Sequence, residues 1–211
     1  MHPSETIDII DDVSSLREAL AMLLETEGFI VRTYAKAVDF LNRAPLMESS
    51  CVLTDVRMPD MTGLELLSRM QDMPSVPPVI VMTAYPDVSL AVRAMKTGAA
   101  DFIEKPFDDE TLLAAVRSAI LRNGATRRRE AEIEIVRQKL ACLTPRENDV
   151  LAGLVRGNQN KVIAHELGIS VRTVETHRAK IMEKASAGSL SELVRMSLLA
   201  AQGAPSAKAD H

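Results

Sequence analysis

Three carboxylates stand where short apolar runs stop. Asp11 and Asp12 follow TIDII, and Asp55 closes CVLTD. Two later runs end on other polar groups: VIVM on Thr83, and DFIE on Lys105, which Pro106 follows. Taken singly, each has an ordinary reading, since strand-end acids meet solvent, a threonine satisfies backbone and a lysine is a surface charge. Together they suggest a site. Clustered carboxylates repel unless a cation lies among them, and oxygen donors favour a hard ion such as Mg²⁺. A carboxylate, a hydroxyl and an ammonium around that ion suit phosphoryl transfer with the carboxylate as nucleophile. Hydrolases with an Asp nucleophile typically place a general acid two residues later. Here that residue is Arg57, which favours a lasting phospho-Asp over rapid turnover.

The elements that must position these groups alternate. TIDIID (6–11), FIVRTY (29–34), CVLTD (51–55), VPPVIVMTA (76–84) and DFIEK (101–105) read as strands. SSLREALAMLLETEG (14–28), KAVDFLNR (36–43), TGLELLSRMQ (62–71), DVSLAVRAMKTG (87–98) and DDETLLAAVRSAILR (108–122) read as helices. Ser15 and Glu18 fit a capping box for the first helix, and Gly28 closes it. This alternation predicts an α/β domain, a five-stranded parallel sheet doubly wound in the flavodoxin-like manner. First and third strands are then neighbours, and the acids meet in the crevice beyond the carboxyl ends of the strands.

The second half reads as all-α. TPRE (144–147) is a capping box with Pro145 at the first helical position, and NKVIAHEL (160–167), SVRTVETHRAKIMEKA (170–185) and SLSELVRMSLLAA (189–201) follow. A helix, a turn at Gly168 and a helix capped by Ser170 make a helix-turn-helix. Val162, Ile163, Leu167, Ile169, Val174 and Ile181 are expected to pack its two helices together. Arg172, Glu175, Thr176, Ala179, Lys180 and Glu183 are left on the opposite side. Ser189 and Glu192 form a further capping box. The expected boundaries are a first domain at 1–122, a helical linker at 123–140, a four-helix domain at 141–201 and a disordered tail at 202–211.

Charge divides along the same line. Residues 1–123 carry 19 Asp and Glu against 11 Lys and Arg, a net of −8. Residues 124–211 carry 10 against 14, a net of +4, consistent with −4 for the chain. An acidic half and a basic half suggest two modules with different partners. No run approaches the roughly 18 apolar residues of a membrane span, and the polar start predicts no signal peptide. Cys51 and Cys142 lack metal spacing and are expected as reduced thiols in a cytoplasmic protein.

These stretches resemble a two-component response regulator. IIDD (9–12), LTDVRMPDMTGLELL (53–67), VMTA (81–84) and FIEKPF (102–107) are similar to the receiver pattern. LTPRE, NKVIAHELGIS and RTVETH are similar to the LuxR-type DNA-binding domain. Together they resemble the NarL/FixJ family, and FixJ-like regulators within it. The resemblance implies that Asp55 accepts phosphate from a sensor histidine kinase. It implies that Asp11, Asp12, Asp55 and the Arg57 backbone carbonyl hold Mg²⁺, while Thr83 and Lys105 bind phosphoryl oxygens. Phe102 stands where the family has its aromatic switch residue; the residues alone equally allow a core position. Pro86 replaces the glycine usual in this subgroup and stiffens its loop.

For the basic half the resemblance implies that Glu175, Thr176 and Ala179 face base edges of promoter DNA. Lys161, Arg172, Arg178, Lys180 and Lys184 would meet phosphates. It further implies a phosphorylation-dependent homodimer, with RNA polymerase as another partner. Two other classes stay open at this point: a regulator that works without phosphorylation, and a Mg²⁺-dependent phosphatase.

Overall fold

The computed structural model describes residues 5–43, 49–73, 76–85 and 87–202. Pro86 and the tail beyond Gln202, with the stiffness and disorder expected of them, lie outside the described residues. The chain forms two compact units, one ending at Ala125 and the other starting at Thr126. Among the described residues no helix is long and apolar enough to cross a membrane.

The first unit is a five-stranded parallel sheet, ordered β2-β1-β3-β4-β5. Its strands are β1 (Thr6–Ile10), β2 (Ile30–Tyr34), β3 (Cys51–Asp55), β4 (Val79–Thr83) and β5 (Asp101–Glu104). Successive strand side chains point to opposite faces, so the continuous apolar runs fill two cores. Ile7, Ile9, Leu53, Ile80 and Met82 face α1 (Ser14–Thr26) and the start of α5 (Asp109–Ala141), burying Leu20, Leu24, Leu112 and Val116. Ile10, Val52, Val79 and Val81 face α2 (Ala37–Leu41), α3 (Gly63–Gln71) and α4 (Val88–Thr97), burying Phe40, Leu66, Leu67, Met70 and Ala94. The doubly wound architecture expected from the alternation is the one observed.

In the second unit, α6 (Pro145–Val155), α7 (Asn160–Leu167), α8 (Val171–Ala185) and α9 (Leu190–Gln202) bury Val150, Leu154, Ile163, Val174, Ile181 and Leu193 together. Thr144 and Glu147 form the expected capping box, with Pro145 first in the helix. Gly168 ends α7 at φ 67°, and Ser170 caps α8 by accepting from the Thr173 amide. Segment 123–140 lies within α5; Val136 is buried in the second unit's core, with Leu140 packed against it.

Three local expectations are corrected. Ser15 and Glu18 form no capping box, because α1 begins two residues earlier, at Ser14, from Val13 without a side-chain cap. The buried Asp11 carboxylate competes for the turn and takes the Val13 amide at 2.9 Å. Val162 is 44% exposed and does not pack between the helices; Ile163 and Leu167, four residues apart, set the inward stripe and leave it about 100° away. Glu192 accepts from the Gly188 amide at 2.8 Å, one residue before the expected Ser189, although its own amide does donate to Ser189 Oγ at 3.1 Å.

After Asp55 the chain folds back on itself. The Gly63 amide donates to the Val56 carbonyl at 3.0 Å, and a Cβ on Gly63 would overlap the Asp55 carbonyl oxygen. Gly63→Ala is therefore expected to lower stability by about 1–3 kcal/mol, as overpacking does. Thermal unfolding measures it; an unchanged midpoint would mean the turn relaxes without cost.

Candidate functional site

The sheet's register carries the polar strand ends to one edge. Thr54 lies opposite Ile10, Asp55 opposite Met82, and Thr83 opposite Glu104, so Asp11 and Lys105 leave the sheet beside Asp55. Asp11 and Thr83 are buried, and Asp55 is 9% exposed. Lys105 Nζ lies between the two acids, donating to Asp11 Oδ2 at 2.6 Å and Asp55 Oδ1 at 2.5 Å. The second Asp55 oxygen accepts the Arg57 amide at 2.5 Å. Thr83 Oγ1 accepts the Tyr85 amide at 3.2 Å.

Burial alone would draw the Lys105 ammonium toward its neutral form. Its hydrogen bonds to Asp11 and Asp55 outweigh that and hold its pKa above the usual lysine value. The cation is thus fixed in its charged form between the two carboxylates. Cys51 takes no part, because burial pushes its thiol up to about 12 and leaves it protonated.

The donors near Asp55 are all hard oxygens, and an ammonium already lies between two of them, so the chemistry fits Mg²⁺. Among the described residues, no three acidic, His or Cys side chains gather as a ready-made metal cage. Asp12, expected in the cluster, is exposed. An ion bound here would keep several waters, as Mg²⁺ ordinarily does.

Arg57 and Tyr85 are bulky residues that flank the site in the sequence, but their mutual contact, like one made by Arg17, escaped the sequence reading. The Arg57 guanidinium carbon stacks 4.4 Å from the centre of the Tyr85 ring, joining the loop after Asp55 to the loop after Thr83. Arg17 Nη1 donates to the Asp11 carbonyl at 2.5 Å. Phe102 is half-buried, packed against the core on the α3 and α4 side.

In the second unit, Arg172, Glu175, Thr176 and Ala179 line one open concavity along α8, with Lys180 exposed beside them. Thr176 gives its hydroxyl proton to the Arg172 carbonyl at 3.0 Å. Lys161 is exposed on α7, and Arg178 is half-buried. Lys184 turns inward: its ammonium donates to the buried Glu147 at 2.7 Å and to the Cys142 carbonyl at 3.4 Å.

Residues 7–117 match the family described as response regulator receiver domain, and residues 141–197 match bacterial regulatory proteins, luxR family. The transcriptional regulatory protein FixJ of Azorhizobium caulinodans is 48% identical over 95% of this chain and 95% of its own. FixJ of Bradyrhizobium diazoefficiens is 45% identical, over 92% and 95%. Among solved structures, the response regulator StyR superposes with a TM-score of 0.80 at 37% identity, covering 93% of this chain and 99% of that one. Full-length FixJ from B. japonicum gives 0.59 at 44% identity, covering 94% and 98%.

The chain belongs to the FixJ-like response regulators. It is a phosphorylation-regulated, DNA-binding transcription regulator, with a receiver ahead of a LuxR-type helix-turn-helix domain.

In this regulator Glu147 ties α8 to the capped start of α6. One of its oxygens accepts from the Thr144 amide and from Lys184, and Thr144 Oγ1 takes the Glu147 amide in return. The Lys184 hydrogen bond, then the Thr144 amide, lowers its pKa to about 2. A glutamate that titrates near 4.3 when unfolded then stabilises the fold fully above that pH. The contribution fades as pH falls toward 2. Lys184→Met should flatten the fall in unfolding midpoint between about pH 4.3 and pH 2 relative to the native chain. Thermal unfolding of both chains across that range checks it; parallel curves would mean that the pair contributes nothing.

Proposed function

We propose that Asp55 is the phosphoacceptor and Lys105 and Thr83 its partners in catalysis. The observation that carries this is the Asp55 carboxylate at the carboxyl edge of the parallel sheet, joined through Lys105 to Asp11. The phosphoryl group arrives on an imidazole nitrogen of a sensor histidine kinase. An Asp55 oxygen attacks phosphorus, the P–N bond breaks, and its electron pair stays with the imidazole. Lys105 moves from carboxylate to phosphoryl oxygen, and Thr83 turns its hydroxyl to donate to another. Asp11, Asp12, Asp55 and the Arg57 carbonyl would hold Mg²⁺, which when bound neutralises phosphoryl charge. The receiver thereby catalyses its own phosphorylation and dephosphorylation. A phosphatase acting on outside substrates is disfavoured by Arg57, which cannot supply the general acid.

Phosphorylation adds about −1.5 to −2 charge in the crevice. The output surface in this reading is α4, β5 and the start of α5, with Phe102 as the switch between site and surface. Val88, Val92 and Met95 are exposed on α4 at 82, 45 and 51%, an apolar row suited to a second receiver. Pairing brings two helix-turn-helix units to a promoter, roughly doubling the phosphate contacts. Thr176 and Ala179 face thymine methyls, Glu175 accepts from cytosine, and Lys161, Arg172, Arg178 and Lys180 meet phosphates. Lys184, engaged by Glu147, fixes the pitch of α8 instead of meeting DNA.

Beryllofluoride with Mg²⁺, a phosphoryl mimic, should tighten promoter binding and raise the sedimenting mass to a dimer in the native chain. Neither should change in Asp55→Ala. Equal affinity and mass with and without the mimic would favour a regulator that works without phosphorylation.

The Arg57–Tyr85 stack shields the acyl phosphate from water. An exposed cation–π contact is worth about 0.5–1 kcal/mol, so Arg57→Ala or Tyr85→Ala should speed phospho-Asp decay about two- to five-fold. Following the phosphorylated protein over time measures this, and unchanged half-lives would sink the shielding role.

A further inference from the structure

Helix α1 begins against its own dipole. Val13 at its cap makes no side-chain hydrogen bond, its first turn holds no acid, and Arg17 follows as its fourth residue. A cation near a helix amino terminus is disfavoured, so the local sequence gains nothing from Arg17. Its side chain turns back out of the helix to the Asp11 carbonyl, 2.5 Å away.

That bond completes the tethering of Asp11. Its amide donates to the Tyr34 carbonyl at 3.2 Å, one carboxylate oxygen takes the Val13 amide and the other takes Lys105. Arg17 holds the remaining polar group, the carbonyl of the Asp11–Asp12 peptide. The plane of that peptide sets the direction in which the exposed Asp12 leaves the chain.

We propose that Arg17 is a positioning residue for the acids that bind the metal, fixing the Asp11–Asp12 peptide so that both carboxylates serve one ion. This rests on the reading above that Asp11, Asp12 and Asp55 hold Mg²⁺. The alternative role, simple charge balance, has the opposite sign. Removing a cation near an acid cluster strengthens its hold on a divalent ion, whereas removing a support behind metal ligands weakens it about ten- to a hundred-fold.

Calorimetric titration of Mg²⁺ into the full chain separates the two. Arg17→Ala should bind roughly ten-fold more weakly than the native chain, and Arg17→Lys, which keeps one donor and the charge, should fall between. Faster hydrogen exchange at the Val13 amide in Arg17→Ala should accompany the loss. Unchanged or tighter Mg²⁺ binding in Arg17→Ala overturns the proposal. Should that variant fail to fold, Arg17→Lys decides: binding weaker than native supports it, and equal binding overturns it. Asp12→Asn serves as the control. Mg²⁺ binding undiminished there places the ion elsewhere and overturns the metal-site reading together with the proposal.

Discussion

The first unit is organised around one ammonium held between two acids. Asp11 has no exposed surface and Asp55 has little. Leaving either carboxylate alone at such depth would cost several kcal/mol, more than a small domain readily spares. Lys105 meets both. It can do so only because parallel strands end in the same direction and because β1 and β3 are neighbours, as the β2-β1-β3-β4-β5 order makes them. The continuous burial of Cys51 to Asp55 and Val79 to Thr83, with helices on both sides of the sheet, serves this end. It holds the strand termini rigid while their last side chains stay at the crevice.

The same arrangement leaves the site short of positive charge. Two carboxylates share one ammonium, so the crevice keeps a negative balance that a divalent ion would relieve. A phosphoryl group on Asp55 would reverse the competition for Lys105, since it offers more charge and more acceptor oxygens than either carboxylate. The partners of Asp55 and Thr83 in the resting state, the amides of Arg57 and Tyr85, belong to the two loops whose side chains stack on each other. Movement at either strand end is thereby felt by both loops.

Much of this was legible in the sequence, for a definite reason. Apolar runs that stop on Asp55, Thr83 and Lys105 declare strand ends, and strand alternation with helices dictates which ends are neighbours. Backbone periodicity settles both. What stayed hidden depends on where long side chains turn after leaving the backbone. Lys184 sits among basic residues of α8 and reads as a phosphate contact, yet it reaches Glu147, 37 positions earlier. Val162 belongs by composition to the apolar set but falls outside the stripe. The first capping box failed because α1 starts two residues before it, at Ser14, where a buried Asp11 holds the Val13 amide. Arg17 did leave a trace, a cation at a helix start where an acid is preferred.

The two units use one device for opposite ends. In each, a lysine anchors an acid across the fold: Lys105 to Asp11 and Asp55, Lys184 to Glu147. Glu147 is also bound into the capping box of α6, and the oxygen that takes Lys184 takes the Thr144 amide as well. This contact ties α8 to the start of α6. A helix that reads a groove gains from such a tie, because affinity is lost when the reader must first be ordered. Lys105 instead lies beside a carboxylate at the crevice, where phosphorylation would create a more highly charged acceptor. What would separate a static anchor from a switch is therefore the access of the acid: the Asp55 side chain keeps 12% of its surface exposed, against 4% for Glu147.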